Sequence, residues 1–293
     1  MSVTVSATTV GRSLPRLTQA QVALTRAIEG VNQFGETVAL AIPAERALTV
    51  YVDKRELVTL MTLGAHPELL VLGFLRNQRL VASVDEIESI TVDWQVGAAA
   101  VRTRHGIGNL QERTAKRVVT TGCGQGSVFG ELMDDVDNIV LPPAVLHQRA
   151  LYGIVNTIRL ADSTYKAAGS VHGCALFRGE EQLMFVEDVG RHNAIDTIAG
   201  WMWMQDEDVQ RGGDKVFYTT GRLTSEMVIK AAQMGVPIVI SRSGTTEMGL
   251  EVARKLGLCT VGRATHKHFI CYSASDRLVF EPALAGARLR VVA

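Results

Sequence analysis

The sequence is poor in aromatic residues and in cysteine. Hydrophobic residues make up 47% of the 293 residues, but aromatic residues make up only 5%. Aliphatic side chains must therefore form most of the core. Four cysteines are too few for a disulfide framework, and none has the spacing of a metal-binding finger. We therefore expect a soluble globular protein of the reducing cytoplasm, with no metal ion.

Excess charge and long apolar runs are absent as well. Lys plus Arg number 30, as do Asp plus Glu, so the formal net charge is zero. This balance argues against attraction of the whole surface to nucleic acid or to an anionic membrane. No apolar stretch of the sequence is long enough to span a bilayer. The sequence thus predicts neither a nucleic-acid partner nor a membrane partner.

Cys123 is the most informative residue of the chain. Glycines at positions 122, 124 and 126 leave its sulfur with little side-chain cover, on backbone that can turn tightly. Uncovered thiols are reactive, so we predict a chemical role for Cys123. Cys259 and Cys271 lie in apolar runs instead, which predicts small, buried hydrophobic side chains.

The chain divides into a polar tail at 1–30, a small α+β module at 31–115 and an α/β domain at 116–285. In the module we predict strands at 37–42, 47–52, 57–63, 89–94 and 98–103, with a helix at 67–75. In the domain we predict a helix at 143–161 and a strand pair at 174–177 and 183–186. Helices at 193–204, 225–234 and 247–256 then alternate with strands at 215–219, 237–241 and 259–262. This alternation predicts a sheet covered by helices on both faces.

Two strand-to-helix junctions in the domain share one design. The first carries Gly221 and Arg222, and the second carries Ser243, Gly244 and Thr245. Each offers a glycine turn, hydroxyl groups, backbone N–H groups at a helix start and a nearby arginine. These features are typical of a phosphate site at the edge of an α/β sheet, although ordinary helix caps have a similar composition.

A cluster of polar residues lies where a third strand meets a helix. It consists of Glu187, Asp188, Arg191, His192 and Asn193. A simple helix cap needs only one such residue, so the cluster predicts a site. His192 is the member that we expect to titrate near neutral pH.

The residues alone leave three functions open. A cysteine hydrolase would use Cys123 as nucleophile, His192 as base and Asp188 to orient it. A sulfur carrier would hold a persulfide on Cys123. A cofactor-binding module would not use the cysteine. The glycine-rich loop favours the carrier, because the sulfur must move between two partners.

The polar cluster and the junctions resemble the formate dehydrogenase accessory protein FdhD family. The matching segments are EDVGRHNA at 187–194, GR at 221–222, EMV at 226–228 and KAAQMGVPI at 230–238, followed by LGL at 256–258, VG at 261–262 and FICY at 269–272. Upstream, ELLVLGFL at 68–75 and VHGCALF at 171–177 resemble two further family segments. The resemblance covers residues 35 to 275, and its segments follow one another along the chain in a single order.

The resemblance implies a sulfurtransferase that accepts persulfide sulfur from a cysteine desulfurase. The sulfur would pass to the bis(molybdopterin guanine dinucleotide) form of the molybdenum cofactor before insertion into formate dehydrogenase. The implied fold is a cytidine-deaminase-like three-layer α-β-α domain with a smaller N-terminal strand-rich module, and the implied assembly is a homodimer. Binding of the cofactor without sulfur transfer is the alternative.

By position, Cys123 corresponds to the persulfide-forming cysteine of the family. The implied guanine-dinucleotide segment, for which a free guanine nucleotide would be a mimic, is Arg263, Ala264, Thr265, His266, Lys267 and His268. Gly221, Arg222 and the turn at 243–245 would then hold phosphates.

The chain departs from the family pattern at two places. Gly126 occupies the position of a second loop cysteine, so a disulfide within the loop is excluded. Release of sulfur must then use direct attack on the persulfide or a distant cysteine such as Cys174. Thr265 and Lys267 differ from the family's C-terminal pattern, and two histidines are added there.

Overall fold

The computed structural model describes residues 13–108, 118–119, 126–127 and 135–285. The first of these ranges forms an N-terminal unit of seven strands and one helix. In chain order its elements are β1 (Arg16–Leu17), β2 (Thr25–Val31), β3 (Thr37–Pro43), β4 (Arg46–Val52), β5 (Arg55–Thr62), α1 (Pro67–Asn77), β6 (Ile87–Asp93) and β7 (Ala98–Thr103). The strands and the helix predicted between residues 37 and 103 are all present.

Five of these strands form a sheet in the order β1-β6-β7-β4-β5. Helix α1 covers the sheet because its apolar side chains repeat at helical spacing, and Leu70, Phe74 and Leu75 are fully or almost fully buried. Pro67 stands in the first turn of α1, where its missing N–H group costs nothing.

The N-terminal segment differs from the polar tail expected at 1–30. Arg16 and Leu17 pair with β6, and β2 pairs with β3 along seven residues. Backbone hydrogen bonds make these contacts, so the side-chain pattern gave no sign of them. The β2–β3 ribbon carries exposed apolar side chains, including Val31, Phe34 and Leu40.

The second unit contains most of the remaining described chain. Its elements are β8 (Val118–Val119), β9 (Gly126–Ser127), β10 (Leu146–His147), α2 (Gln148–Leu160), α3 (Thr164–Ala168), β11 (His172–Arg178), β12 (Glu181–Asp188), α4 (Arg191–Met204), α5 (Glu207–Gln210), β13 (Lys215–Thr219), α6 (Ser225–Gln233), β14 (Ile238–Ser241), α7 (Glu247–Leu256), β15 (Cys259–Thr265), β16 (His268–Ser273) and β17 (Leu278–Val279).

A six-stranded sheet with the order β12-β11-β13-β14-β15-β16 forms the middle layer of this unit. Strands β13, β14 and β15 are parallel, and the outer pairings are antiparallel. Helix α2 buries Leu151 and Ile154 on one face, and α4, α6 and α7 cover the other. The α/β class, the three layers and the smaller strand-rich module are therefore confirmed.

Two elements differ from prediction near the ends of this unit. The helix predicted at 143–161 begins only at Gln148, because Leu146 and His147 pair as a strand with β17. Strand β16, which was not predicted, pairs with β15 and extends it to Thr265.

The two units meet where α1 crosses α4 at two glycines. A Cβ atom added at Gly73 would overlap the carbonyl oxygen of Asp196, and one at Gly200 would overlap that of Leu69. The two helix backbones are thus in direct contact, which only glycine at both positions permits.

Candidate functional site

A cavity of about 600 Å³ lies at the ends of the parallel strands, with α2 and α3 as its side wall. It is lined by Val155, Ile158, Arg159, Ser163, Tyr165, Lys166, Val171, His172, Gly173, Phe185, Glu187, Tyr218, Thr220, Arg242, Ser243, Ala264, Thr265 and His266. Ligands of open α/β sheets bind at the carboxyl ends of the parallel strands, so this cavity is the candidate site.

The two predicted junctions lie side by side at this edge and are bonded to each other. The Leu223 N–H donates to the Gly244 carbonyl at 2.9 Å, and the Ser241 hydroxyl donates to the Gly221 carbonyl at 2.6 Å. The N–H group of Ser243 donates to the Ser241 hydroxyl at 2.9 Å. Several backbone donors that we expected to be free for phosphate are therefore used within the protein.

Only one of the residues predicted at these junctions reaches the cavity wall. Ser243 lines it, whereas Gly221, Arg222, Gly244 and Thr245 lie outside its lining. Arg242, the arginine that the sequence places at the second junction, is a lining residue. Its position directly after β14 brings it to the cavity, because strand ends face the cavity.

The predicted C-terminal segment contributes half of its residues to the wall. Ala264, Thr265 and His266 line the cavity, and the other three residues of 263–268 do not. Arg263 and His266 both have left-handed backbone, with φ of 51° and 50°, and the β15–β16 register shifts between Gly262 and Thr265. This irregular backbone brings the end of β15 to the cavity.

Basic side chains outnumber acidic ones around the cavity. Arg159, Lys166 and Arg242 face a single carboxylate, that of Glu187. Glu187 accepts hydrogen bonds from the backbone N–H groups of Thr164 and Tyr165 at the start of α3. Its charge is therefore engaged within the wall, and the remaining surface favours an anionic ligand.

His172 is held neutral at the floor of this cationic region. Burial lowers the pKa of His172 below its ordinary value, and the charges of Arg191 and Arg222 lower it further. A neutral imidazole can accept a hydrogen bond as well as donate one, so His172 can bind a polar ligand group without adding charge.

Two members of the predicted polar cluster join the units. The Asp188 carboxylate accepts hydrogen bonds from the Thr62 hydroxyl at 2.5 Å and the Leu63 N–H at 3.0 Å. The Asn193 amide donates to the Met61 carbonyl at 2.6 Å and to Asp188 at 2.7 Å. Asp188 and Asn193 therefore fix the end of β5 against the start of α4.

His192 does not titrate near neutral pH, contrary to the sequence-based expectation. Burial lowers the pKa of His192 to about 2, assisted by the charges of Lys230 and Arg191 and by His172. Its Nε2 atom lies 3.5 Å from the Glu226 carboxylate, and its Nδ1 atom has no hydrogen-bond partner among the residues that the structure describes. The hydrolase hypothesis required Asp188 to orient this imidazole, but the hydrogen bonds of Asp188 go to other groups.

Sequence comparison identifies the family to which this fold belongs. The model of the FdhD/NarQ family matches residues 43–279. This chain belongs to the FdhD/NarQ family. The family resemblance seen in the sequence is thereby confirmed.

Relatives in this family share the sequence over most of their length. The sulfur carrier protein FdhD of Bacillus subtilis (strain 168) is 31% identical over 235 residues, which are 80% of this chain and 88% of the relative. The sulfur carrier protein FdhD of Staphylococcus aureus (strain MRSA252) is 29% identical over 236 residues, with the same shares covered.

A solved structure shows the same fold. It is that of a protein assigned as a formate dehydrogenase accessory protein, from Desulfotalea psychrophila. The TM-score is 0.68 at 23% identity, and the match covers 87% of this chain and 98% of that chain.

Cys123, the predicted sulfur-carrying residue of this FdhD/NarQ chain, lies outside the described residues. The short strands that precede and follow it in sequence are paired, with Val119 opposite Gly126. Gly126 is the position at which the family resemblance implies a second loop cysteine.

Cys174 is not available as a distant partner for Cys123. Its side chain has no exposed surface, and its Sγ atom donates to the Thr219 hydroxyl at 3.3 Å. Burial raises the pKa of Cys174 to about 12, so the residue stays a thiol at physiological pH. The hypothesis that Cys174 helps to release sulfur is therefore not supported. Cys259 is fully buried, as predicted, and Cys271 is partly buried.

Within the described ranges, no three His, Cys, Asp or Glu side chains come together to hold a metal ion. No helix formed by those residues has the length and apolar character needed to cross a membrane.

Proposed function

We propose that this FdhD/NarQ-family chain is a sulfur carrier of the cytoplasm that serves formate dehydrogenase. Cys123 accepts sulfur from a cysteine desulfurase and passes it to the bis(molybdopterin guanine dinucleotide) molybdenum cofactor, which is a substrate rather than a resident group. The observation that carries this proposal is the 31% identity, over 80% of the chain, to a protein named as a sulfur carrier.

The uptake step is an exchange at sulfur. The Cys123 thiolate attacks the outer sulfur of the desulfurase persulfide, the sulfur–sulfur bond of the donor breaks, and the donor cysteine leaves as a thiolate. The outer sulfur then belongs to a persulfide on Cys123. No net oxidation or reduction takes place in this step.

The delivery step needs two electrons. The outer sulfur of a persulfide must become sulfide, S²⁻, to serve as a ligand of molybdenum. With Gly126 in place of a second loop cysteine, we assign these electrons to an external thiol reductant. Two such thiols yield one disulfide and two protons, the sulfur leaves as hydrogen sulfide, and Cys123 returns to its thiolate.

The cavity is the place where we expect the nucleotide end of the substrate to bind. Its volume of about 600 Å³ lies in the usual range for small-molecule pockets. Phe185, Tyr165 and Tyr218 supply flat apolar surface for a base, and Arg159 and Arg242 supply charge for phosphates. Ser243 and residues 264–266 complete the proposed contacts.

Sulfur loading is tested by intact mass spectrometry after incubation with a cysteine desulfurase and cysteine. We expect a gain of about 32 Da, the mass of one sulfur, that dithiothreitol removes. Cys123→Ala should lose this gain, whereas Cys174→Ala should keep it. An adduct that persists in Cys123→Ala would overturn the proposal.

A cofactor-binding role without sulfur transfer is the second candidate, and the cavity is the observation that favours it. That role predicts binding of guanosine diphosphate without any sulfur adduct on the wild-type protein. It also predicts that Cys123→Ala still supports formate dehydrogenase activity in cells. The homodimer implied by the family resemblance is tested separately, by light scattering on the purified protein.

A further inference from the structure

Cys259 and Cys271 lie on neighbouring strands and on the same face of the central sheet. Strands β15 and β16 pair with Val261 opposite Cys271 and Thr260 opposite Ser273, and the register shifts between these two pairs. Side chains alternate between the faces of a strand, so Cys259 lies on the same face as Val261 and therefore as Cys271. Both sulfurs belong to the apolar layer beneath α2.

The two thiols influence each other's ionisation. As a thiol, Cys271 donates from its Sγ atom to the Ser273 carbonyl at 3.4 Å. When Cys271 is a thiolate, a hydrogen bond from the Cys259 thiol lowers the pKa of Cys271. The same bond, together with burial, raises the pKa of Cys259. Cys271 is also the more exposed of the two, since Cys259 has no exposed surface.

This arrangement gives the two cysteines different chemical characters. Cys271 is partly accessible and is the better thiolate, which are the features of a thiol that reacts with small oxidants. Cys259 is a protected thiol on the neighbouring strand and in the same apolar cluster, which is the position of a resolving cysteine. Cys174 offers a contrast, because its side chain is fully buried and burial raises its pKa to about 12.

We propose that Cys259 and Cys271 form a reversible redox pair, in which a hydroperoxide oxidises Cys271 and Cys259 then closes an intrachain disulfide. This proposal is independent of the proposed function, because Cys123 takes no part in it.

The reaction balances with a hydroperoxide as the only oxidant. The Cys271 thiolate attacks one oxygen of hydrogen peroxide, which gives a sulfenic acid and hydroxide. The Cys259 sulfur then attacks the Cys271 sulfur, and the oxygen leaves as water with the proton of the Cys259 thiol. The two cysteines together lose two electrons, and the peroxide is reduced to water.

The position of the pair in the sheet gives its oxidation a structural consequence. Strand β15 continues from Cys259 to Ala264 and Thr265, which line the cavity. The turn that follows carries His266, a further lining residue, and leads into β16. A disulfide would therefore link the two strands of the hairpin whose turn borders the cavity.

The test is peptide mapping of the folded full-length protein after brief treatment with hydrogen peroxide. Free thiols are then blocked with N-ethylmaleimide and the protein is digested without reductant. We expect a cross-linked peptide pair containing Cys259 and Cys271, about 2 Da lighter than the sum of the two reduced peptides, that dithiothreitol separates.

Two variants and one control make the result decisive. Cys271→Ser should abolish the cross-link. Cys259→Ala should also abolish it and should leave Cys271 to advance to the sulfinic acid, since the resolving thiol is gone. Cys174→Ala is the matched control, and it should leave the cross-link unchanged.

The proposal is overturned if oxidised wild-type protein shows Cys259 labelled by N-ethylmaleimide after unfolding while Cys271 carries sulfinic acid. A cross-link from Cys271 to any other cysteine would overturn it equally. Because the Cys259→Ala readout is a gain of oxygen on Cys271, a loss of signal through misfolding is distinguishable from the expected result.

Discussion

Lys230 and Asp196 form an ion pair in which neither side chain has any exposed surface, with Nζ 2.9 Å from Oδ2. The other oxygen of Asp196 accepts a hydrogen bond from Asn77 at 2.7 Å. The pair therefore lies where α1, α4 and α6 meet. Asp196→Ala should lower the free energy of unfolding by about 3 kcal/mol, because the buried Lys230 charge loses its 2.9 Å partner and keeps only the more distant ion pair with Glu226 at 3.7 Å. Urea denaturation measures this change.

The exposed ion pair between Glu207 and Arg211 provides the control. Both side chains are largely in solvent, so Glu207→Gln should change stability by less than about 1 kcal/mol. The double variant Asp196→Leu with Lys230→Met should recover part of the loss, because it removes the Lys230 charge together with that of Asp196, while Glu226 loses its 3.7 Å ion pair with Lys230. Equal losses in Asp196→Ala and Glu207→Gln would contradict the role assigned to the buried pair.

The helices α1 and α4 contact each other through their backbones at Gly73 and Gly200. We therefore expect a single added methyl group at this crossing to lower the stability of the protein. Gly73→Ala places a Cβ against the backbone of Asp196 and Gly200, which cannot move without separating the helices. We expect a loss of at least 1–3 kcal/mol, roughly that of an overpacked core, measured by thermal or urea unfolding.

Gly153 in α2 is the matched control for this substitution. The three heavy atoms nearest to its added Cβ all belong to the flexible Glu180 side chain, which can rotate away. Gly153→Ala should therefore be neutral, or stabilise the protein by up to about 1 kcal/mol through helix propensity. A similar loss in Gly153→Ala and Gly73→Ala would show that the backbone contact is not the cause.

The lowered pKa of His192 should make the stability of the protein depend on pH. In the folded protein its pKa is about 2, against an ordinary value of 6.5. Below pH 6.5 the unfolded chain binds a proton that the folded protein does not, so the free energy of unfolding falls as the pH falls. By about pH 5 this loss amounts to about 2 kcal/mol, and above the unfolded pKa it is absent.

His192→Gln should flatten this slope, as measured by urea unfolding at about pH 7.5 and about pH 5. Asp188, Asp196 and Glu226 have raised pKa values and act in the opposite direction, but they are present in both proteins. His268→Gln, at an exposed position, should keep the wild-type slope. An unchanged slope in His192→Gln would mean that the imidazole is protonated in the folded protein.

We expect Arg242 to contribute to the affinity of the cavity for phosphate groups. Arg242→Gln should weaken binding of guanosine diphosphate by roughly 10- to 100-fold, which corresponds to the loss of about 1.5–3 kcal/mol for a charged hydrogen bond. Isothermal titration calorimetry measures this affinity. Arg254→Gln, on the exposed side of α7, should leave it unchanged. Equal affinities for Arg242→Gln and wild type would remove Arg242 from the proposed site.

Cys174 should resist alkylation in the native protein. Because burial raises its pKa to about 12, iodoacetamide at about pH 8 should leave it unmodified until denaturant is added. Cys271, which is partly exposed, serves as the internal comparison in the same digest. Labelling of both residues at similar rates would show that the sheet opens around Cys174.

The sequence predicts an element well where local signals mark its ends. Both ends of the helix predicted at 247–256 agree with the structure, because Thr246 caps its start and Gly257 ends it in left-handed backbone. The start of α2 was misplaced because Leu146 and His147 pair with β17, more than 130 residues away. No local pattern contains that information.

The candidate site shows the same limit. The positions of Ser243 and residues 264–266 follow from the rule that ligands bind at strand ends, whereas the burial of His192 depends on Glu226 and Lys230 from another helix. The Asp188 contact with Thr62 spans 126 residues. The sequence therefore marks the polar cluster as unusual. Only the folded structure shows that two of its members, Asp188 and Asn193, join the two units.

The direct backbone contact between α1 and α4 also constrains how such a chain can be recombined. Helices separated by side chains tolerate exchange of one partner, since new side chains can adjust to each other. At the crossing of Gly73 and Gly200 there is no side chain to adjust, and Asn77 adds a bond to Asp196 beside it. A chimaera that takes α1 from one homologue and α4 from another should therefore assemble only when the first supplies glycine at position 73 and the second supplies glycine at position 200. Exchange of the N-terminal unit between homologues is therefore limited by one backbone contact rather than by side-chain complementarity.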